Sequence, residues 1–143
     1  MPASASSTDP PPRGPSGSPV RVLAVDDQAI FLRAVRQLLR AAPGFEQVGE
    51  ARSGEEAIAR VAELRPDLVL LDVRMPGMDG IETARRLLAE RKPPAVVLIS
   101  LEPLPKPERE LDVRFLRKQE LSVRSLTAVW AEHRPGATAQ RGA

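Results

Sequence analysis

Leu68-Val69-Leu70-Leu71-Asp72-Val73-Arg74-Met75-Pro76-Gly77-Met78-Asp79-Gly80 is the stretch on which the fold turns. Its first four residues are apolar with no polar alternation, the pattern of a strand buried on both faces. The run ends on a carboxylate, Asp72, and breaks at once into a Pro/Gly loop. A second apolar run, Val22–Val25, ends on an acid pair, Asp26-Asp27. Two strand ends that carry three carboxylates point to a divalent metal and phosphoryl chemistry.

Strand-like and helix-like segments alternate outward from this stretch. Val20–Val25 reads as a strand. Gln28–Ala42 places Phe31, Val35, Leu38 and Leu39 at helical spacing, and Pro43-Gly44 stops it. Glu46–Ala51 is a weaker strand. Ser53 caps a helix reaching Leu64, with Ala57, Ile58, Val61 and Leu64 inward, and Ser53 with Glu56 matches a capping box. Ile81–Glu90 is a helix packing through Ile81, Ala84 and Leu88. Ala95–Ile99 and Val113–Leu116 are further strands, and Ser122–His133 a last helix with Val123, Leu126 and Trp130 inward. This alternation predicts an α/β fold, a doubly wound parallel sheet with helices on both faces. In such sheets ligands bind beyond the carboxyl ends of the strands. Asp26, Asp27, Asp72, Ser100 and Lys118 all fall there.

One segment departs from the pattern. Pro103, Pro105 and Pro107 bias their preceding residues towards extended backbone and remove donors. At most one helical turn fits, over Glu108–Leu111. Residues 1–19 are rich in Pro, Ser, Ala and Gly and are expected to be a disordered tail. Residues 134–143 are expected to be a second one. The predicted domain spans residues 20–133.

The chain has 143 residues, 42% hydrophobic, enough for one ordinary domain. A formal net charge of +2 and only 3% aromatic residues argue against a single-stranded nucleic-acid platform, which needs stacking rings as well as cations. With no cysteine, disulfides, thiolate nucleophiles and Cys-based zinc sites are excluded. No apolar stretch approaches the ~20 residues that cross a bilayer, and no signal-peptide pattern opens the chain. A cytoplasmic protein is expected. Of 21 basic residues only Lys92, Lys106 and Lys118 are lysines, so a lysine at a strand end is informative.

Each site residue also has a plainer reading. Asp26-Asp27 could simply cap the next helix, Asp72 could be a turn residue, and Lys118 a surface charge. Ser100 alone is commonly a turn or cap residue, Phe115 plain core, and His133 a lone terminal histidine without a role.

Taken in order, the motifs carry a family. Val25-Asp26-Asp27, Leu70-Leu71-Asp72, Arg74–Gly80, Ser100 and Phe115-Leu116-Arg117-Lys118, each at a strand end, resemble the receiver domain of two-component response regulators over roughly residues 20–133. Val73–Gly80 looks particularly like receivers that precede helix-turn-helix DNA-binding domains. The resemblance implies a flavodoxin-like five-stranded sheet in the order 2-1-3-4-5, with the fourth helix of that fold shortened or missing here. It implies that Asp72 takes a phosphoryl group from a sensor histidine kinase or phosphotransfer protein. Asp27 would bind Mg²⁺ directly, Asp26 mainly through water, and the Arg74 carbonyl would complete the protein ligands with Asp72. Lys118 would pair with the phosphoryl group, and Ser100 would hydrogen-bond it after a loop shift accompanied by a rotamer change of Phe115. The chain would thus be a phosphoprotein that catalyses its own modification rather than a turnover enzyme, and would act on an unknown output protein. No intrinsic nucleic-acid or membrane binding is expected, and a monomer or an atypical dimer is.

The physics agrees with those roles. Three carboxylates and one lysine leave a local charge near −2, which a divalent cation neutralises; oxygen-only ligands suit Mg²⁺. A carboxylate nucleophile is the chemistry of aspartyl phosphates. Two departures stand out. Leu101 follows Ser100, where receivers usually have a small residue, and it would narrow the site or hinder the loop shift. Gln119 follows Lys118, where many have proline, so a trans bond is expected and Lys118 could point differently. Three other readings remain: a phosphorylation-independent scaffold, a fragment of a DNA-binding regulator, and a small aspartate-dependent phosphatase. The last expects an acid two positions after the nucleophile, where Arg74 stands.

Overall fold

The computed structural model describes residues 10–103 and 111–133. Five strands form one parallel sheet in the order β2-β1-β3-β4-β5, the order expected. They are β1 (Val20–Val25), β2 (Phe45–Ala51), β3 (Leu68–Asp72), β4 (Ala95–Ser100) and β5 (Arg114–Arg117). Among the described residues four α-helices flank them: α1 (Ala29–Ala41), α2 (Gly54–Leu64), α3 (Gly80–Leu88) and α4 (Val123–His133).

Every residue of β3 is buried, as an unalternating apolar run in a two-sided sheet requires. The odd and even positions of the strands feed two separate cores. On one face, Val22, Ala24, Leu68, Leu70, Val97 and Ile99 pack with α1 and α4 through Leu32, Val35, Leu39, Leu126 and Trp130. On the other, Leu23, Val69, Leu71, Val96 and Leu98 pack with α2 and α3 through Ala57, Val61, Ala84 and Leu87. The predicted inward stripes hold in α2 and α4 and are partly displaced in α1 and α3. In α1 the buried residues are Leu32, Val35 and Leu39, whereas Phe31 only packs against the margin of its core. In α3, Leu87 is buried with Ala84, while Ile81 and Leu88 are partly covered.

Caps set where the helices begin. Ser53 accepts the Glu56 N–H at 3.0 Å, but the Glu56 carboxylate returns to the N–H of Arg52, not of Ser53, so the capping box closes one residue early. Asp79 caps α3 by accepting the Glu82 N–H at 2.9 Å. The Asp79-x-x-Glu82 spacing carries that signal in the sequence.

The described residues include 10–19, part of the expected N-terminal tail. Residues 12–18 run against the body. The Arg13 carbonyl accepts the Trp130 indole N–H at 3.2 Å, and Gly14 N–H closes a turn onto the Ser18 carbonyl at 2.7 Å. Pro12 lies so close to Gly44 that a Cβ there would stand 2.3 Å from the Pro12 carbonyl oxygen. The physical reason is a buried indole that needs an acceptor, met by the Arg13 carbonyl. The rest of that expected tail, residues 1–9, and residues 134–143 lie outside the described residues. So do residues 104–110, where a shortened or missing helix was expected; the flanking residues 101–103 and 111–113 carry no helix.

Candidate functional site

The carboxyl ends of β1 and β3 are neighbours because these strands pair in parallel, Val25 opposite Leu71. Asp26 and Asp72 therefore leave the sheet side by side. Asp26 is fully buried and Asp72 is 5% exposed; Asp27, one residue further, is half-buried. One carboxylate oxygen from each of the three lies within 4.8 Å of the others.

Asp26 is held at both oxygens. Oδ1 accepts the Gln28 N–H at 2.8 Å and fixes the turn into α1. Oδ2 meets the Lys118 ammonium at 2.8 Å and no other donor among the described residues. Helix capping is thus part of the role of Asp26 and not all of it. Asp27 differs: among the described residues no donor engages its carboxylate, while its carbonyl accepts from the Arg52 guanidinium at 3.0 Å. It is the acid with free lone pairs at the rim.

Asp72 is fixed by packing behind it. Gly80 opens α3 directly against the end of β3, and a Cβ at Gly80 would stand 2.2 Å from the Asp72 carbonyl oxygen. The residue at 80 has to be glycine for helix and strand to meet there. Val73 N–H bonds the Ile99 carbonyl at 3.0 Å and Gly80 N–H the Val73 carbonyl at 2.8 Å, which ties the loop to β4. Burial pushes the Asp72 carboxyl up from 3.8 to about 6. The Asp26 and Asp27 charges raise it as well, while Lys118 and the backbone N–H of Arg74 lower it. A carboxylate that is costly to ionise beside two others is a site that gains from added positive charge.

Lys118 supplies one such charge. It follows β5, is only 9% exposed at its side chain, and lies 3.7 Å from Asp72 Oδ1. No described peptide bond is cis, and Lys118 nonetheless points into the acid cluster. The concern that Gln119 turns it away does not hold, because Asp26 draws the ammonium inward. The donor set fits Mg²⁺: all oxygen, with an unengaged carboxylate at the rim and a buried one already balanced.

Known proteins match this arrangement. The response regulator receiver domain family matches residues 22–124. The chain belongs to that family. Among solved structures, the receiver domain of the response regulator NarL from Mycobacterium tuberculosis superposes with a TM-score of 0.72 at 30% identity, covering 81% of this chain and 96% of that one. CheY from Borrelia burgdorferi, solved as a CheX-CheY-BeF₃-Mg complex, superposes with a TM-score of 0.72 at 26% identity, covering 82% and 91%. A protein-glutamate methylesterase/protein-glutamine glutaminase of Myxococcus xanthus is 48% identical over 83 residues, 58% of this chain and 24% of that protein. The chain thus spans about a quarter of the length of such relatives.

The remaining receiver positions are placed as follows. Ser100 is buried at the end of β4, and its Oγ accepts the Glu102 N–H at 3.1 Å. Phe115 sits opposite Leu98 and is half-buried against the α2/α3 face. By alternation Leu98, Ser100 and Phe115 share that face. Leu101 is 62% exposed; it projects to solvent and does not wall off the carboxylates. Arg74 sends its side chain away from the acids to Glu102, 2.8 Å across a cleft that also contains Ser100. The sequence reading missed one contact altogether: the Phe31 ring centroid lies 4.4 Å from the Lys118 ammonium.

Proposed function

We propose that this receiver accepts a phosphoryl group on Asp72 from a histidine kinase or phosphotransfer protein, in a Mg²⁺-dependent reaction, and that the modification changes its binding to an output protein. The observation that carries this reading is the convergence of Asp26, Asp27 and Asp72 within 4.8 Å with Lys118 on two of them. When bound by Asp27, Asp72 and the Arg74 carbonyl, with Asp26 through water, Mg²⁺ would neutralise the charge between carboxylate and donor phosphate.

The chain's own residues do the rest. An Asp72 oxygen forms the new bond to phosphorus, the bond from phosphorus to the donor nitrogen breaks, and that nitrogen keeps the electron pair, the donor's imidazole leaving neutral with the proton already on its other nitrogen. Lys118 offers a compact ammonium to the transferred oxygens. The acyl phosphate carries close to two negative charges and new acceptors. Ser100, whose hydroxyl hydrogen is not claimed by its bond to Glu102, turns to donate to them, and Phe115 follows into the vacated space.

Titration with Mg²⁺ and then beryllofluoride, followed by amide resonances, tests the reading. The expected result is a first shift confined to Asp26, Asp27 and Arg74, then a second spreading to Ser100 and Phe115. Magnesium binding without any response to beryllofluoride would favour a phosphorylation-independent scaffold. No response to either would leave the acids architectural.

A further inference from the structure

We propose that Phe31 is a positioning residue for Lys118, an aromatic wall that keeps the ammonium aimed at Asp72 while its ionic partners change. This rests on the phosphoryl-acceptor reading above. Lys118 has three close neighbours: Asp26 at 2.8 Å, Asp72 at 3.7 Å and the Phe31 ring at 4.4 Å. The two acids are partners whose charge and ligands change during the reaction. Asp72 ceases to be a free carboxylate once phosphorylated, and Asp26 is drawn to the metal side. The ring face attracts a cation through its quadrupole and needs no free carboxylate to do so.

Burial makes the contact effective. The Lys118 side chain is 9% exposed. The crevice beneath Asp26 and Asp72, walled by Phe31, Leu32 and Ile99, is too small for a water molecule. Cation–π attraction is strongest where the cation is desolvated. A lysine followed directly by a turn (Lys118–Glu120 is one 3-10 turn) has four flexible side-chain bonds and would otherwise sample other rotamers. Phe31 lies one turn before Val35 and is only partly buried at the margin of the core, so part of its ring is left to meet the ammonium.

Two substitutions separate this role from packing. Phe31→Leu keeps apolar bulk and removes the ring, whereas Phe31→Tyr keeps the ring. In the wild type the Lys118 Hε resonances are expected upfield from ring current; Phe31→Tyr preserves that shift and Phe31→Leu abolishes it. With Mg²⁺ and acetyl phosphate, the maximal phosphorylation rate of Phe31→Leu is expected to fall about fivefold, with half-saturating Mg²⁺ unchanged, and Phe31→Tyr to restore it. Should Phe31→Leu fail to fold, Phe31→Met is read the same way. Unshifted Lys118 resonances in the wild type, or equal loss of rate in the Leu and Tyr variants, would overturn the proposal. A wild type that never takes up a phosphoryl group refutes the acceptor reading instead, and the ring-current shift still decides where Phe31 holds Lys118.

Discussion

Strands β3 and β5 end at the same rim and are built in opposite ways. All five residues of β3 are buried, and it sits between two neighbours. All four residues of β5 are only half-buried, and it is an edge strand. The first delivers Asp72 on a backbone locked by Gly80 and by the Ile99 carbonyl. The second delivers Phe115 and Lys118 on a margin with room to move. A switch needs both properties: a carboxylate that stays put, and responders with low local stability.

The sharpest way to break this contrast is at Asp72 itself. Asp72→Asn is expected to abolish covalent phosphorylation completely, measured by intact mass after acetyl phosphate and Mg²⁺. The same substitution removes a buried charge, so the metal-free variant should be more stable than wild type at pH 8. Next comes the pH dependence of metal-free wild type. Folding raises the Asp72 pKa from 3.8 to about 6, so between those values the folded state holds a proton the unfolded state has lost. This group therefore stabilises the fold below pH ~4, and the contribution is lost as pH climbs to ~6, by roughly 3 kcal/mol. Urea titrations across that range should show the decline, and Asp72→Asn should flatten it. Saturating Mg²⁺ should reduce it too.

The rigidity of the β3 end is tested by glycine. Gly80→Ala drives a Cβ into the Asp72 carbonyl and is expected to cost about 1–3 kcal/mol as overpacking. Gly77→Ala meets nothing within 4 Å but has φ +77, and is expected to cost about 1 kcal/mol. Equal costs, or a larger one at Gly77, would contradict the bracing of Asp72 by α3. The smallest effect is expected far from the rim. Trp130→Phe deletes the bond to the Arg13 carbonyl and should lower stability by about 1 kcal/mol, without altering phosphorylation.

What could be read from the sequence follows the same division. The strand ends were legible because unalternating apolar runs followed by acids leave few alternatives, and all three carboxylates meet as expected. The phase of α1 was not. Ile30, Phe31, Leu32, Val35, Leu38 and Leu39 support two helical stripes a residue apart, and only tertiary packing chose Leu32 over Phe31. That one-residue choice freed Phe31 to meet Lys118. The docking of residues 12–18 was equally hidden, since a Pro/Gly/Ser segment gives no local sign that an indole 117 residues away will bond it.

The central claim is that Asp26, Asp27, Asp72 and Lys118 form one Mg²⁺-dependent phosphoryl-acceptor site. Mass spectrometry of the protein treated with acetyl phosphate and Mg²⁺, with the modification mapped to a residue, tests it most directly. The account predicts one phosphoryl group, on Asp72, absent when Mg²⁺ is chelated. Labelling at another residue, labelling that ignores chelation, or none while Mg²⁺ binds would contradict it.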